Sequence, residues 1–581
     1  MIRKIQKLFL ISALCATYLV AESNVTTSKQ DVPKNSAKVK VESKSKQSKS
    51  LIWIDGKELS NLSQELLKQI KKDKTVSYDL PFYYLYKTIL KDVKKSKINK
   101  SLNAKIDNLY YSYMNYLIRG GINWSSFRRS INRLKKKYDY SVGWETTPPP
   151  YSAKSILKNA ILEGSFNNIF SKVEPKRFKY RTMKKYLIKF LDIRDNGGWK
   201  SAGNKLLKPG MTSSYVPNIR KHLKMVGDLG NCSTDMNSKV YDKCMAKAVK
   251  RYKLRHGLKA SSVIDRATRA ELNKPVSYYI KKIRLNMDRI KWIKRDEARV
   301  RIEINIPAFR LYVYDGKDLV TTMRVVTGKP DHPTPVFSDI MTTVVVNPYW
   351  RIPESILRKE MLKNLIKKPH YYDKQGKYLY KGWGENAKRI DPASVDWKQY
   401  LNNKKPIPYH FMQEPGKRNA LGRIKFLFPN KYAVYIHDTP SKKLFFKQTR
   451  AFSHGCMRIQ KPRELLKALS LYNSNVHVNS LMKKLGTNDN THIGLNRKIP
   501  IDIVYLTSFV DDYSNLHFRK DIYGYDKIQL RNYAYNIKYK KPKKSSTKKK
   551  DKKADTKDKK SENKKVASTN TKDDNIVEIG Y

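Results

Sequence analysis

From Leu51 to about Leu206 the apolar positions recur at helical spacing. Leu59, Leu62, Leu66 and Ile70 form one stripe, and Phe127, Ile131, Leu134 and Tyr138 form another with basic residues between them. Side chains three and four apart share a helix face, so each stripe predicts an amphipathic helix with one face on a core. Pro148-Pro149-Pro150 interrupts the series, because proline has no N–H to donate. A shorter helical unit follows from Ser213 to Pro275. Met245, Ala248, Val249 and Tyr252 fall on one helix face, Gly257 is placed to stop that helix, and Asp265 to cap a short one through Leu272, so three short helices are expected.

Beyond Ala298 the period changes to two. Val300, Ile302, Ile304 and Ile306 alternate with Arg301, Glu303 and Asn305, the pattern of a half-buried strand. Leu311 to Tyr314 and Leu319 to Val326 read as a hairpin across Asp315-Gly316, Tyr432 to Ile436 reads as a strand running into His437, and Pro462 opens an amphipathic helix through Leu465, Leu466 and Leu469. The expectation is a multidomain α+β protein: a helical scaffold domain over 51–206, a three-helix module over 213–275 and a mainly-β domain over 298–530.

The ends are different. Residues 1–21 place Arg3, Lys4 and Lys7 before an apolar run from Leu8 to Val20 and close on Ala21-Glu22-Ser23, the layout of a secretory signal peptide. That run is shorter than the roughly 20 residues a membrane span needs, which makes an uncleaved anchor the lesser alternative. Residues 22–50, and the Lys-rich tail over 538–581, have no apolar periodicity and read as disordered extensions.

Composition adds a formal charge of +70 across 581 residues. Such charge suits nucleic acid, but export and the lack of a zinc-finger, helix-turn-helix or aromatic RNA-binding motif turn the reading toward anionic wall polymers or membrane surfaces met by the Lys-rich ends. Removing the signal takes Cys15 with it and leaves Cys232, Cys244 and Cys456. In an oxidising compartment the expected division is a Cys232–Cys244 disulfide, stabilising by roughly 3 kcal/mol, and a free thiol at Cys456; two buried free thiols and a core Cys456 are the plain alternative.

Cys456 stands in Ser453-His454-Gly455-Cys456-Met457-Arg458, with His437 upstream at a strand end. A thiol near its ordinary pKa is only a few per cent thiolate at neutral pH, so a catalytic cysteine needs a neighbouring imidazole, and His437 can be that base. Zinc on His437, His454 and Cys456 is disfavoured, because His-x-Cys is a cramped chelate and no fourth ligand sits at a usual spacing; no metal and no cofactor is expected.

Val325-Val326-Thr327-Gly328, Asn347-Pro348-Tyr349-Trp350-Arg351-Ile352-Pro353, Asn419-Ala420-Leu421-Gly422 and His437-Asp438-Thr439-Pro440, with Arg450-Ala451-Phe452 leading into Ser453-His454-Gly455-Cys456, resemble the catalytic domain of L,D-transpeptidases. The likeness extends to Val504-Tyr505-Leu506-Thr507 and Asp521-Ile522-Tyr523-Gly524, and is narrower toward the large periplasmic subgroup with a helical scaffold. Val249-Lys250-Arg251-Tyr252 through His256-Gly257-Leu258, then Ile264-Asp265 and Ala267-Thr268 to Leu272-Asn273, is similar to the peptidoglycan-binding module that accompanies many wall enzymes.

The resemblance implies a periplasmic enzyme whose partners are donor and acceptor peptidoglycan stem peptides. Cys456 would attack the carbonyl at the L-centre of diaminopimelate, His437 would take the thiol proton, and a second stem amine would resolve the thioester into a 3→3 cross-link. The same resemblance gives the backbone carbonyl of Asp438 the task of orienting the imidazole, leaving its side chain a turn or cap role. Backbone N–H groups around Gly455 and Cys456, assisted by Tyr435, would meet the oxyanion. His454 either positions the thiol loop or faces substrate. Arg458 either clamps a stem carboxylate or braces the loop. Tyr349 and Trp350 fall in a stretch that resembles a lid, with a core Trp as the plain alternative, and Ser453 is counted with Tyr435 among the substrate contacts. Two other functions use the same chain: an L,D-carboxypeptidase, if water replaces the amine, or a non-catalytic wall-binding scaffold.

Overall fold

A computed structural model describes residues 51–138, 142–294, 298–382, 387–402 and 405–535. The expected signal, linker and Lys-rich tail lie outside the described residues. No described helix is long and apolar enough to cross a membrane.

The chain enters through a two-stranded hairpin, β1 (Ile54–Asp55) and β2 (Glu58–Leu59), so Leu59 is not part of the helical stripe and the expected all-α region carries a little sheet. Ser60 accepts from the Ser63 N–H and starts α1 (Asn61–Lys72). Six more helices follow: α2 (Tyr83–Lys94), α3 (Lys100–Ile118), α4 (Trp124–Tyr138), α5 (Ala153–Glu163), α6 (Ile169–Lys172) and α7 (Tyr180–Asp195). Tyr110 stacks on Phe166 and tilts against Trp53, so the aromatic stripe of α3 is core.

Three helices make the next unit, α8 (Val216–Val226), α9 (Lys243–Arg255) and α10 (Arg266–Leu272). Asp242 caps α9, Asp265 caps α10 through the Thr268 N–H, and Gly257 takes φ +66° just past the end of α9, where a side chain would be strained. Cys232 and Cys244 are bonded, with Cα atoms 6.1 Å apart.

Helix α11 (Val276–Ile290) joins this unit to the β domain and is buried on nearly every side, although it carries Lys282, Arg284, Asp288 and Arg289. Burying charge is unfavourable unless each charge is paired. Arg284 meets Asp79 and Ser77, Asp288 takes the Gly121 N–H at 2.7 Å and the Tyr533 hydroxyl at 2.6 Å, and Arg289 meets Asp526 at 2.8 Å and Gln529 at 2.8 Å. One helix thereby ties the scaffold to the C-terminal end of the β domain.

In that domain the strands are β3 (Val300–Asn305), β4 (Arg310–Asp315), β5 (Asp318–Gly328) and β6 (Phe337–Val346), followed by an excursion and then β11 to β15. The excursion has its own four-stranded sheet, from β7 (Trp350–Arg351), β8 (Lys377–Lys381), β9 (Lys388–Ile390) and β10 (Tyr409–Gln413), with helices α12 (Glu354–Ile356) and α13 (Leu362–Lys367). Its small core includes Leu365, Leu379, Trp397 and Phe411. The lid foreseen at Tyr349 and Trp350 is thus the edge of a folded subdomain. After it come β11 (Ile424–Leu427), β12 (Ile436–His437), β13 (Ala451–Ser453), β14 (Met457–Ile459), helix α14 (Pro462–Ser470) and β15 (Thr491–Val504).

The main sheet runs β13-β5-β14-β12-β11-β6-β15-β3-β4, and because β4 also pairs with β5 the sheet closes on itself. Two expectations change here. Strand β3 is buried on both faces: Arg177 from the scaffold reaches Glu303 at 3.1 Å, and Asn305 donates to the Leu506 carbonyl at 3.1 Å. The strand before His437 is only Ile436–His437, because Ala433 adopts φ +52° and breaks the extended run from Tyr432.

Candidate active site

Ile436 pairs with Met457, and both side chains are wholly buried in the core. Side chains alternate along a strand, so the next register pair, His437 and Arg458, faces the other way, and Cys456, two residues before Arg458, faces with them. On the far side of β12, Lys425 of β11 is the register partner of His437. Lys425, His437 and Arg458 therefore form one row across three strands. They line, with Cys456, a cleft of about 960 Å³ whose opposite wall is the lid subdomain, through Trp350, Ile356 and Glu360.

The loop carrying Cys456 is held by short polar contacts. It links β13, parallel to β5, with β14, antiparallel to the same strand. The Ser453 hydroxyl donates to the Cys456 carbonyl at 2.5 Å and accepts from the Gly455 N–H at 3.3 Å, and Thr334 donates to the Gly455 carbonyl at 2.7 Å. Ser453 lines the cleft but is buried, with its hydroxyl committed inside the loop. The Gly455 N–H likewise points at Ser453, so of the two foreseen oxyanion donors only the Cys456 N–H is left uncommitted by these bonds. Gly455 takes φ +112°, while a Cβ there would meet its nearest atom at an ordinary 3.5 Å. Backbone conformation, rather than a close approach, requires the glycine.

His437 is 4% exposed, and its Nδ1 lies 2.5 Å from the Asp438 carbonyl oxygen. A carbonyl only accepts, so Nδ1 carries the proton and Nε2 keeps its lone pair. The Asp438 side chain accepts from the backbone N–H of Arg423 at 3.0 Å and of Thr439 at 2.7 Å and pairs with Lys442, so it fixes the turn that supplies that carbonyl. Gly422 is needed beside it, since a Cβ would sit 2.4 Å from Asp438 Cγ. Burial above all, then the Arg458 guanidinium, pulls the His437 pKa down to about 3. The ring is neutral at neutral pH, so one ring nitrogen keeps an unprotonated lone pair.

Burial raises the Cys456 thiol above its ordinary range, opposed by the Tyr435 backbone N–H, the charges of Lys425 and Arg458, and the Tyr435 hydroxyl. Tyr435 therefore serves the sulfur in the free protein. His454 puts Nε2 2.6 Å from Glu360 of the lid, and its ring meets His332 edge to face at 4.6 Å, so the motif's own histidine bridges the thiol loop to the lid. Arg458 has its Nε buried without a hydrogen-bond partner, which argues against the loop-bracing reading and for a ligand-facing one. Trp350 is half-buried on β7, packed on the lid core near Lys377, whereas Tyr349 is exposed at the cleft mouth. Lys425, Glu360 and His332 were not foreseen. A lysine inside the apolar run Ile424-Lys425-Phe426-Leu427 was the available signal for the first; the other two come from loops distant in sequence. Among the described residues no cluster of three or more His, Cys, Asp or Glu is arranged to hold a metal.

A neutral imidazole and a free thiol thus line one cleft, on and next to inner strands of the closed sheet and opposite the four-stranded subdomain. Residues 299–482 match the L,D-transpeptidase catalytic domain, and residues 45–187 match a scaffold domain. The first of these segments is thus similar to an L,D-transpeptidase catalytic domain and the second to a scaffold domain. A protein of Haemophilus influenzae described as a putative L,D-transpeptidase is 31% identical over 246 residues, 42% of this chain and 48% of that protein, so the chain spans about half the length of the curated relative it matches. Among solved structures, an L,D-transpeptidase from Mycobacterium smegmatis is 12% identical with a TM-score of 0.17, covering 36% of this chain and 59% of its own. An L,D-transpeptidase from Stackebrandtia nassauensis is 11% identical with a TM-score of 0.20, covering 52% and 96%.

Proposed function

We propose that the protein is an exported cysteine L,D-transpeptidase that cleaves the bond between the third and fourth residues of a peptidoglycan tetrapeptide stem and joins stems by 3→3 cross-links. The observation that carries this reading is the shared cleft face of Cys456 and His437, with the imidazole held neutral and its Nδ1 committed to the Asp438 carbonyl.

The steps follow from that geometry. As the sulfur attacks the diaminopimelate carbonyl, the thiol proton passes to Nε2 of His437, and the departing amine of D-Ala takes it as the thioester forms. An acceptor amine then enters, gives a proton to the same nitrogen and displaces the sulfur, which takes that proton back as the thiol. The Cys456 N–H is the nearest main-chain donor for the developing oxyanion. Arg458 faces the cleft with unspent donors and suits a stem carboxylate, to which a guanidinium binds bidentately. Tyr349 at the cleft mouth suits the covering of substrate, and the Lys-rich ends suit anionic wall polymers or membrane surfaces.

The test is to supply purified tetrapeptide stems and analyse the products by mass spectrometry. Released D-Ala with 3→3 dimers is expected. Tripeptides without dimers would make the protein a carboxypeptidase, and no release of D-Ala would leave only a wall-binding role.

A further inference from the structure

We propose that Lys425 is a further catalytic residue, whose ammonium stands against the Cys456 sulfur while that sulfur is anionic, as it attacks and again as it is expelled from the thioester. The proposal rests on the reading of Cys456 as nucleophile and deepens it. The proton lost by the sulfur goes to His437 Nε2; Lys425 keeps all three of its own and contributes charge alone.

The position follows from register. Lys425 is the cross-strand partner of His437, and His437 of Arg458, so the two permanent cations come from the strands on either side of the base, whose backbones run about 4.8 Å apart. Lys425 lies between core residues Ile424 and Phe426, and alternation alone turns it into the cleft. Its ammonium sits 4.0 Å from the centroid of the Tyr435 ring, and Tyr435, like Lys425, favours the anionic form of the Cys456 sulfur. A cation on the ring face fixes the lysine and polarises the phenol toward donation.

Lys425 has no ion-pair partner among the described residues, and a half-buried ammonium with no counter-ion is unfavourable unless an anion forms beside it. The charged and titratable groups facing the sulfur or this lysine are Arg458 on β14, Tyr435 and His437 on or beside β12, and Arg351 at the lid. None supplies a negative charge at neutral pH. The lid carboxylate in the cleft, Glu360, is engaged by His454. The anion that answers Lys425 is the sulfur itself.

Alkylation of Cys456 by iodoacetamide in the full-length protein, followed by peptide mass spectrometry from about pH 6 to 11, tests this without any wall peptide. It therefore reads Lys425 even if the wild-type chain forms no cross-links. An opposite charge within about 4–6 Å shifts an ionisation by 1–3 units, so Lys425→Met and the more polar Lys425→Gln should move the profile upward by about one unit and slow alkylation near pH 8 about tenfold. Lys425→Arg should restore it. Superimposable profiles for the wild type and a folded neutral variant would overturn the proposal, and with a raised KM for stems would make Lys425 a carboxylate reader instead. An unreactive wild-type Cys456 across the whole range, or folding by Lys425→Arg alone with both neutral variants unfolded, would overturn it as well.

Discussion

Lowering the pH from 7.5 to 5 should destabilise this protein in proportion to its buried neutral imidazoles, of which His437 is one. Burial above all pulls His437 and His222 down to about 3 and His256 to about 4, from an ordinary value near 6.5. Each folded value lies below the unfolded one, so below about pH 6.5 the unfolded chain takes up protons that the folded chain refuses. The contribution to stability is whole above that pH and drains away as pH falls toward 3 to 4. At pH 5 each ring has lost about 1.5 units of linkage, or about 2 kcal/mol, and the three together about 6 kcal/mol, a large share of the 5–15 kcal/mol typical of a domain. Urea unfolding followed by tryptophan fluorescence at the two pH values measures this in the wild type and in His437→Gln. The variant should lose about 2 kcal/mol less than the wild type, seen as a smaller drop of its urea midpoint between the two pH values. Equal losses in the two proteins would mean that His437 is not held neutral in the fold, and the base assigned here would be wrong.

Four other outcomes follow. Gly455→Ala forces a side chain into φ +112° and should slow acylation of Cys456 while far-UV circular dichroism stays unchanged, because the strain of about 1–3 kcal/mol falls on the thiol loop. Gly422→Ala places a Cβ 2.4 Å from Asp438 Cγ and should lower kcat with little change in KM by turning the carbonyl that orients His437. Glu360→Gln removes the carboxylate that meets His454 and should speed amide hydrogen exchange in the lid while leaving the main sheet protected. Reducing the Cys232–Cys244 bond should destabilise the three-helix unit by roughly 3 kcal/mol in thermal melts and leave the Cys456 site intact.

Much of this architecture was legible where one local rule governs. The period-two run at Val300 gave β3, Asp315-Gly316 gave the β4–β5 turn, and the cap at Asp265 formed where a short polar side chain precedes a helix. Cys456 and His437 stood out because their chemistry is rare and their neighbours are distinctive. What escaped depends on contacts between distant segments. Helix α11 looks too charged for a core until Asp79, Gln529 and Asp526 are seen to answer its cations. Glu303 seems a solvent-facing alternate until Arg177 covers it, and Lys425 reads as an ordinary strand lysine until register sets it beside His437. The lid required the opposite correction, since Tyr349 and Trp350 mark the start of a subdomain with its own core rather than a loop.

The most direct measurement is the intact mass of the protein after exposure to a carbapenem, a β-lactam that cysteine acyltransferases open. One adduct is expected, mapped to Cys456, abolished in Cys456→Ala and slowed by roughly 10²–10⁴-fold in His437→Ala with the fold retained. A wild-type protein that stays unmodified, or an adduct that forms equally fast without His437, would contradict it.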